Sequence, residues 1–225
     1  MKKAIIAMIL ACALLASCLA AFAEGDNAAS DIRPEAAALL EKLYALIDMS
    51  QYEERPGSGE LNADHKLDSA VTEAEIEGTT LKLGMSFEEV IAAGFTAPEG
   101  YADEEGSKGL SYNGKFRTGD GKKVELGFSV GVDGEKLSNG VLNGIGLPYY
   151  WTEDLANVAI KGISVGADLS EVVEVMGEPE ILKDNSSNLK MRYGYSDDTI
   201  IESVTFYIDF DGKVAGLGLG GTFKK

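Results

Sequence analysis

Residues 81–91 read LKLGMSFEEVI, and residues 163–173 read ISVGADLSEVV. The two stretches align Gly84 with Gly166, Glu89 with Glu171 and Val90 with Val172. Self-similarity of this kind is the sequence sign of a repeated unit. Each stretch carries a helix start with a physical basis. A side-chain oxygen at Ser86 or Asp168 is placed to accept from the free amides of a first turn, and Glu89 or Glu171, three residues on, completes a capping box. One apolar stripe then repeats at helical spacing: Phe87, Val90 and Ile91 in the first stretch, Leu169, Val172, Val173 and Met176 in the second. Gly94 and Gly177 suit the ends of these helices, with Pro98 and Pro179 soon after.

Downstream of each helix the apolar period drops to two, which marks a strand with one buried face. Leu110, Tyr112 and Phe116 alternate, followed by Val124, Leu126, Phe128, Val130 and Val132. In the second stretch the alternating sets are Leu189, Met191, Tyr193 and Tyr195, then Val204, Phe206, Ile208 and Phe210. Asp133-Gly134 and Asp211-Gly212 close the longer strands, and Asp-Gly suits a tight hairpin turn. A further strand follows in each, near 141–147 and 214–219. The expected fold is α+β: two tandem repeats of a helix plus an antiparallel sheet, over 76–148 and 149–225. An N-terminal helix and a polar linker over 24–75 precede them.

The order Val165-Gly166-x-x-x-x-Glu171-Val172, Met176-Gly177-x-Pro179, Tyr195 and Phe210-Asp211-Gly212-Lys213-Val214 resembles the SmpA/BamE module. Two such units in tandem resemble the arrangement of the β-lactamase inhibitory protein family. They also resemble secreted or lipid-anchored proteins of Gram-positive bacteria built on this module. The resemblance covers roughly 76–225. It implies the helix-plus-sheet fold and a protein-binding role, since the known members are assembly factors and inhibitors. Its motif residues are caps, turns and core, so no contact residue carries over from it.

Lys2 and Lys3, an apolar run from Ala4 to Ala20, and Ala21-Phe22-Ala23 before Glu24-Gly25-Asp26 read as a secretory signal peptide over 1–23. Leu15-Ala16-Ser17-Cys18 resembles a lipobox, which makes Cys18 a lipidation candidate. Release after Ala23 is the favoured alternative, because apolar Leu19-Ala20-Ala21-Phe22 stands where a polar tether would follow Cys18. The expected location is secreted or on the extracellular face of the envelope, with membrane contact only through a lipid on Cys18. Cys12 and Cys18 are the two cysteines, so the mature part offers neither disulfide nor thiolate. From Pro34 a helix is expected, with Leu39, Leu40, Leu43, Leu46 and Ile47 on one face, either packed on the body or docking a partner. Residues 50–70 hold Pro56-Gly57-Ser58-Gly59 and many charges and read as a linker, with His65 solvated within it.

The formal charge is −17, and without Lys2 and Lys3 it is −17 − 2 = −19. That balance excludes phosphate-driven nucleic-acid binding and disfavours anionic lipid surfaces. One histidine and no mature cysteine leave no nucleophile–base pair. Asp209-Phe210-Asp211-Gly212 lacks the further oxygen ligands of a calcium loop, and reads as a hairpin turn. Asp197-Asp198 reads as a solvated loop. The run Gly216-x-Gly218-x-Gly220-Gly221 has no helix after it and is no phosphate loop; close packing or strand bending is its expected role. No catalytic residue, metal site or cofactor is therefore assigned. The leading functional reading is a non-enzymatic binding protein with a protein partner. A cell-wall glycan or peptide is the alternative, and a hydrolase ranks last.

Strand phase locates a candidate face. With Val204, Phe206, Ile208 and Phe210 turned inward, Thr205, Tyr207 and Asp209 point outward, and Lys190 and Arg192 stand beside them. Tyrosine and arginine are common interface anchors, and an antiparallel sheet covered on one side offers the other. An ordinary solvated face is the competing reading. The counterpart in the first copy, Ser111, Asn113, Lys115, Glu125, Gly127 and Ser129, is blander. Tyr149-Tyr150-Trp151 forms a second candidate, either cementing the two copies or offering a stacking platform.

Overall fold

The computed structural model describes residues 34–185 and 187–224, so Cys18 and the signal peptide lie outside the described residues. Contacts divide the chain into Met1–Ala37 and Ala38–Lys225, and the sheets and the core belong to the second unit. The first helix, α1, runs Pro34–Tyr44. Its stripe is used: Leu39 and Leu43 are buried in the core, with Ile47 just beyond the helix. The chain then departs from the expected linker. Strand β1 (Glu53–Arg55) and strand β2 (Glu60–Asn62) pair as a hairpin around Pro56-Gly57-Ser58-Gly59, and β2 pairs on with residues 181–183. These strands are charged and lie at a sheet edge, so the ladder recruits their backbone without the apolar alternation that betrays a buried strand. His65 is corrected with them: its Nε2 lies 2.8 Å from Glu178 Oε2, and both side chains are largely buried.

Two short hairpins follow at separate places in the chain. Strand β3 (Glu73–Ile76) turns through Glu77-Gly78 into β4 (Thr79–Lys82), which leads to helix α2 (Phe87–Ala92). Next come β5 (Glu105–Gly106), β6 (Tyr112–Arg117), β7 (Lys123–Ser129), β8 (Glu135–Lys136) and β9 (Val141–Leu147). Strand β10 (Val158–Ile160) turns through Lys161-Gly162 into β11 (Ile163–Ser164), and helix α3 (Leu169–Met176) follows. Both turns hold positive φ at two successive residues, 49° and 80° in the first and 51° and 83° in the second. That is the backbone of a type I′ turn, whose twist matches the flanking strands. The hairpins pair with each other through β3 and β10, giving the sheet β11-β10-β3-β4.

The chain ends in four strands: β12 (Ile181–Asn185), β13 (Asn188–Ser196), β14 (Ile200–Ile208) and β15 (Val214–Phe223). They join the rest in one nine-stranded antiparallel sheet ordered β1-β2-β12-β13-β14-β15-β9-β7-β6. Its inner face supplies Leu126, Phe128, Leu142, Val204 and Phe206, each fully buried. These residues share one core with Ile76, Leu81, Val158 and Ile160 of the smaller sheet.

This overturns the α+β expectation of two helix-plus-sheet repeats. The described residues are mostly β, with fifteen strands in three sheets and three short helices. The helical stripes are real but span only six and eight residues in α2 and α3. Hairpins at 53–62, a span read as a linker, and at 73–82 and 158–164 add further strands. The long strands do not form two separate three-stranded meanders either, because β15 pairs with β9 and draws both stretches into one sheet. Asp133-Gly134 is not a tight turn between long strands, since β8 and a 3₁₀ turn at Leu137–Asn139 intervene before β9. Asp211-Gly212 does lie between β14 and β15, in a five-residue loop organised by Asp209, whose Oδ1 accepts from the amides of Asp211 and Lys213.

The candidate groove on the outer sheet face

Register fixes what shares the outer face. Lys190 stands opposite Tyr207, Arg192 opposite Thr205, Thr205 opposite Gly218, and Gly218 opposite Gly146. Gly146 in turn opposes Glu125, and Glu125 opposes Lys115. One row across six strands thus runs Arg192, Thr205, Gly218, Gly146, Glu125, Lys115. The next row includes Ser203, Gly220, Gly144, Gly127 and Asn113. Bare backbone therefore floors the middle of the face. A groove of about 430 Å³ lies over it, and a neighbouring one of about 360 Å³ continues past Ser203 to Arg192.

The walls come from turns and bulges. Trp151 N donates to Pro148 O at 3.0 Å, and this turn after β9 brings Tyr149 over β15. A Cβ at Gly216 would lie 2.7 Å from Tyr149 N, so that glycine is required for the approach. The rings of Tyr149 and Tyr207 are 5.0 Å apart, and Tyr150 packs edge-on to Tyr149 at 5.5 Å while remaining 65% exposed. Lys115 Nζ sits 4.8 Å over the Trp151 ring, within cation–π range. Register breaks at Tyr207/Ile208 and at Gly127/Phe128. Such bulges re-aim side chains and are common beside functional sites. The second leaves Asn143 as the extra residue, and Ser111 Oγ donates to its Oδ1 at 2.9 Å while Asn113 Nδ2 donates to Glu125 Oε1 at 3.2 Å.

The electrostatics are uneven. Burial pushes the Glu125 carboxyl above its ordinary range. Burial, and next the charge of Arg192, pull the Lys190 ammonium below its own. Burial, then Tyr149, raises the Tyr207 phenol. Among the described residues no group of three or more metal-ligating side chains comes together. Asp197, read as a solvated loop residue, accepts from the amides of Ile200 and Thr199, which hold its carboxyl well below the usual range.

Two candidates that the sequence kept apart therefore meet. Tyr149 and Tyr150 line the same groove as Tyr207, with Trp151 at its Lys115 edge, and Lys190 and Arg192 continue the face beyond Tyr207. Ser111, Asn113 and Glu125, placed on the outer face by strand phase but passed over as blander, line the groove, and Asn143 was missed. Glycine at every second position in both β9 (Gly144, Gly146) and β15 (Gly216, Gly218, Gly220) was the signal that could have found the floor. No family model, curated protein or solved structure matches this chain.

Proposed function

We propose that the chain is an exported, non-enzymatic binding protein that holds an extended segment of another protein in the outer-face groove. The glycine floor carries this reading. Gly144, Gly218 and Gly220 have no positive φ, and a Cβ at each would meet only ordinary contacts at 3.6, 3.9 and 3.7 Å. The fold does not need glycine there, yet glycine inside a strand costs roughly 0.5–1 kcal/mol against alanine. Glycine at such places marks close approach of a ligand or another backbone. The tyrosines beside the floor supply large contact area at low entropic cost.

Hexapeptides selected against the intact protein from a random displayed library test this reading. Gly218→Val fills the floor while leaving the backbone unstrained. The selected peptides should lose at least ~10-fold in affinity for this variant, about 1.4 kcal/mol, at an unchanged or raised melting temperature. Equal binding to both forms removes the groove as the site. Failure to enrich any peptide, with chitohexaose shifting the Tyr150 resonances instead, would favour the glycan alternative.

A further inference from the structure

The β12–β13 end of the outer face gathers three cations, which a chain of net charge −17 has little reason to do. Lys183 stands directly opposite Lys190 across β12 and β13, and Arg192 follows two positions along β13. Like charges placed opposite one another in a sheet are destabilising. Glu60 on β2 relieves one of them, with Oε1 3.4 Å from Lys183 Nζ. Among the described residues no carboxylate forms an ion pair with Lys190 or Arg192. Arg192 Nε is itself buried and has no hydrogen-bond partner. A buried donor without an acceptor is costly, and natural structures tolerate few. Burial, and next the charge of Arg192, depress the Lys190 pKa, with Glu60 acting against them.

We infer that Lys183, Lys190 and Arg192 form an anion-accepting subsite that takes the carboxylates of an acidic peptide segment lying in the groove. This inference rests on the groove reading and names the chemistry of its ligand. A guanidinium presents a planar fork that matches a carboxylate bidentately. The register supplies the path: Arg192 lies in the same row as Thr205, Gly218 and Gly146, so a chain on the glycine floor runs toward the guanidinium. From β13 to β15 is two strand spacings, roughly 10 Å, which about three residues of extended peptide cover. The acidic residue thus sits some three positions from the one that meets the tyrosines. Tyr207, opposite Lys190, borders both regions.

Acetylated hexaglutamate and hexaglutamine, titrated into the full chain by NMR, test this at low salt. Hexaglutamate should bind at least ~10-fold more tightly, shifting the resonances of Lys190, Arg192 and Thr205. Arg192→Gln and Lys190→Gln should each erase most of that preference. Lys190→Gln should also melt no lower than the parent protein, because it removes a like-charge contact. Tyr149→Ala should weaken both peptides alike. Equal affinity of the two peptides, with shifts confined to the groove, overturns the subsite and leaves the groove reading standing. No shift anywhere on the face with either peptide overturns both. Tighter binding of hexagalacturonate than of hexaglutamate would assign the cations to an acidic glycan and overturn the peptide class.

Discussion

At residues 84–87 and again at 166–169 the chain leaves a hairpin, turns and starts a helix, and both turns are clipped to the start of a later strand. In the first, Gly84 N donates to Leu142 O, Leu142 N to Met85 O and Phe87 N to Gly140 O. In the second, Gly166 N donates to Val214 O, Val214 N to Ala167 O and Leu169 N to Gly212 O. The backbone clips correspond bond for bond, and both glycines hold φ near +90°. The side chains do not correspond. Ser86 and Glu89 form a full capping box, whereas Asp168 accepts no capping bond and pairs with Lys213 Nζ at 2.9 Å. The expected cap at Asp168 is thereby corrected: its carboxylate is engaged by the Lys213 ammonium instead of the helix amides. Backbone geometry is what the two stretches share, and side-chain chemistry is free to diverge once the backbone bonds are made.

The parts of the core beneath the two clips differ as well, and the largest expected effects lie there. Phe128 meets Phe87, Phe116 and Tyr101 at ring separations of 5.2, 5.6 and 6.2 Å, while Phe206 meets Tyr193 at 6.2 Å. Both are fully buried. Phe128→Ala should cost near the top of the usual ~3–5 kcal/mol for a buried phenylalanine, and Phe206→Ala near the bottom. Urea unfolding measures both; equal losses would erase this distinction between the two parts of the core.

The part of the core beneath the second clip also encloses a carboxylate. Glu202 is 3% exposed, its Oε1 accepts from Val71 N, and its Oε2 has no partner. Burial raises its pKa above the ordinary 4.5. The folded chain then holds a proton that the unfolded chain has released, so this group's contribution falls as pH rises through that range and stays unfavourable above it. Asp197 acts in the opposite sense, losing stabilisation as pH falls, because its pKa is depressed. Glu202→Gln separates the two. It keeps the acceptor for Val71 and removes the charge, so its stability relative to the parent should rise from pH 4 to pH 8. A pH-independent difference would mean that the Glu202 carboxyl titrates alike in the folded and unfolded chains.

Parts of this molecule were legible in the sequence for clear reasons. Val204, Phe206 and Ile208 are buried, and their period-two spacing located the outward partners Thr205 and Tyr207. The capping box at Ser86 was legible because it is local. The hairpin of β1 and β2 was not, since Glu53, Glu54 and Arg55 are all exposed and no apolar face announces the strand. Nor was the joining of β9 to β15, a long-range pairing that local pattern does not encode. The groove suffered from the same gap. Its aromatic wall and its cationic end were each visible, but only the register of β14, β15 and β9 puts them on one floor. Gly216, Gly218 and Gly220 were read as close packing or strand bending; Gly216 is the close packing, admitting the Tyr149 backbone, while the other two leave the floor bare.

The smallest effects test the comparison of the clips most directly. The amide to follow is the third of each helix. Glu89 N is served by the Ser86 side chain, with Oγ at 3.2 Å, whereas Glu171 N donates to the backbone carbonyl of Asp168 at 3.0 Å. Ser86→Ala strands its amide and should cost about 1 kcal/mol, as lost N-caps do. Asp168→Ala strands nothing and removes only an exposed pair with Lys213, so its cost should stay within about 0.5 kcal/mol. That small cost should vanish in ~1 M salt, where such a pair is screened, while the Ser86→Ala cost should persist. Asp168→Ser sharpens the point further. It releases the position from Lys213 and recreates the Ser-x-x-Glu pattern with Glu171, so any capping box that forms must compete with a backbone bond already in place. Thermal unfolding should therefore show little gain. A loss for Asp168→Ala equal to that of Ser86→Ala, or a large gain for Asp168→Ser, would show that the second clip depends on its side chain after all.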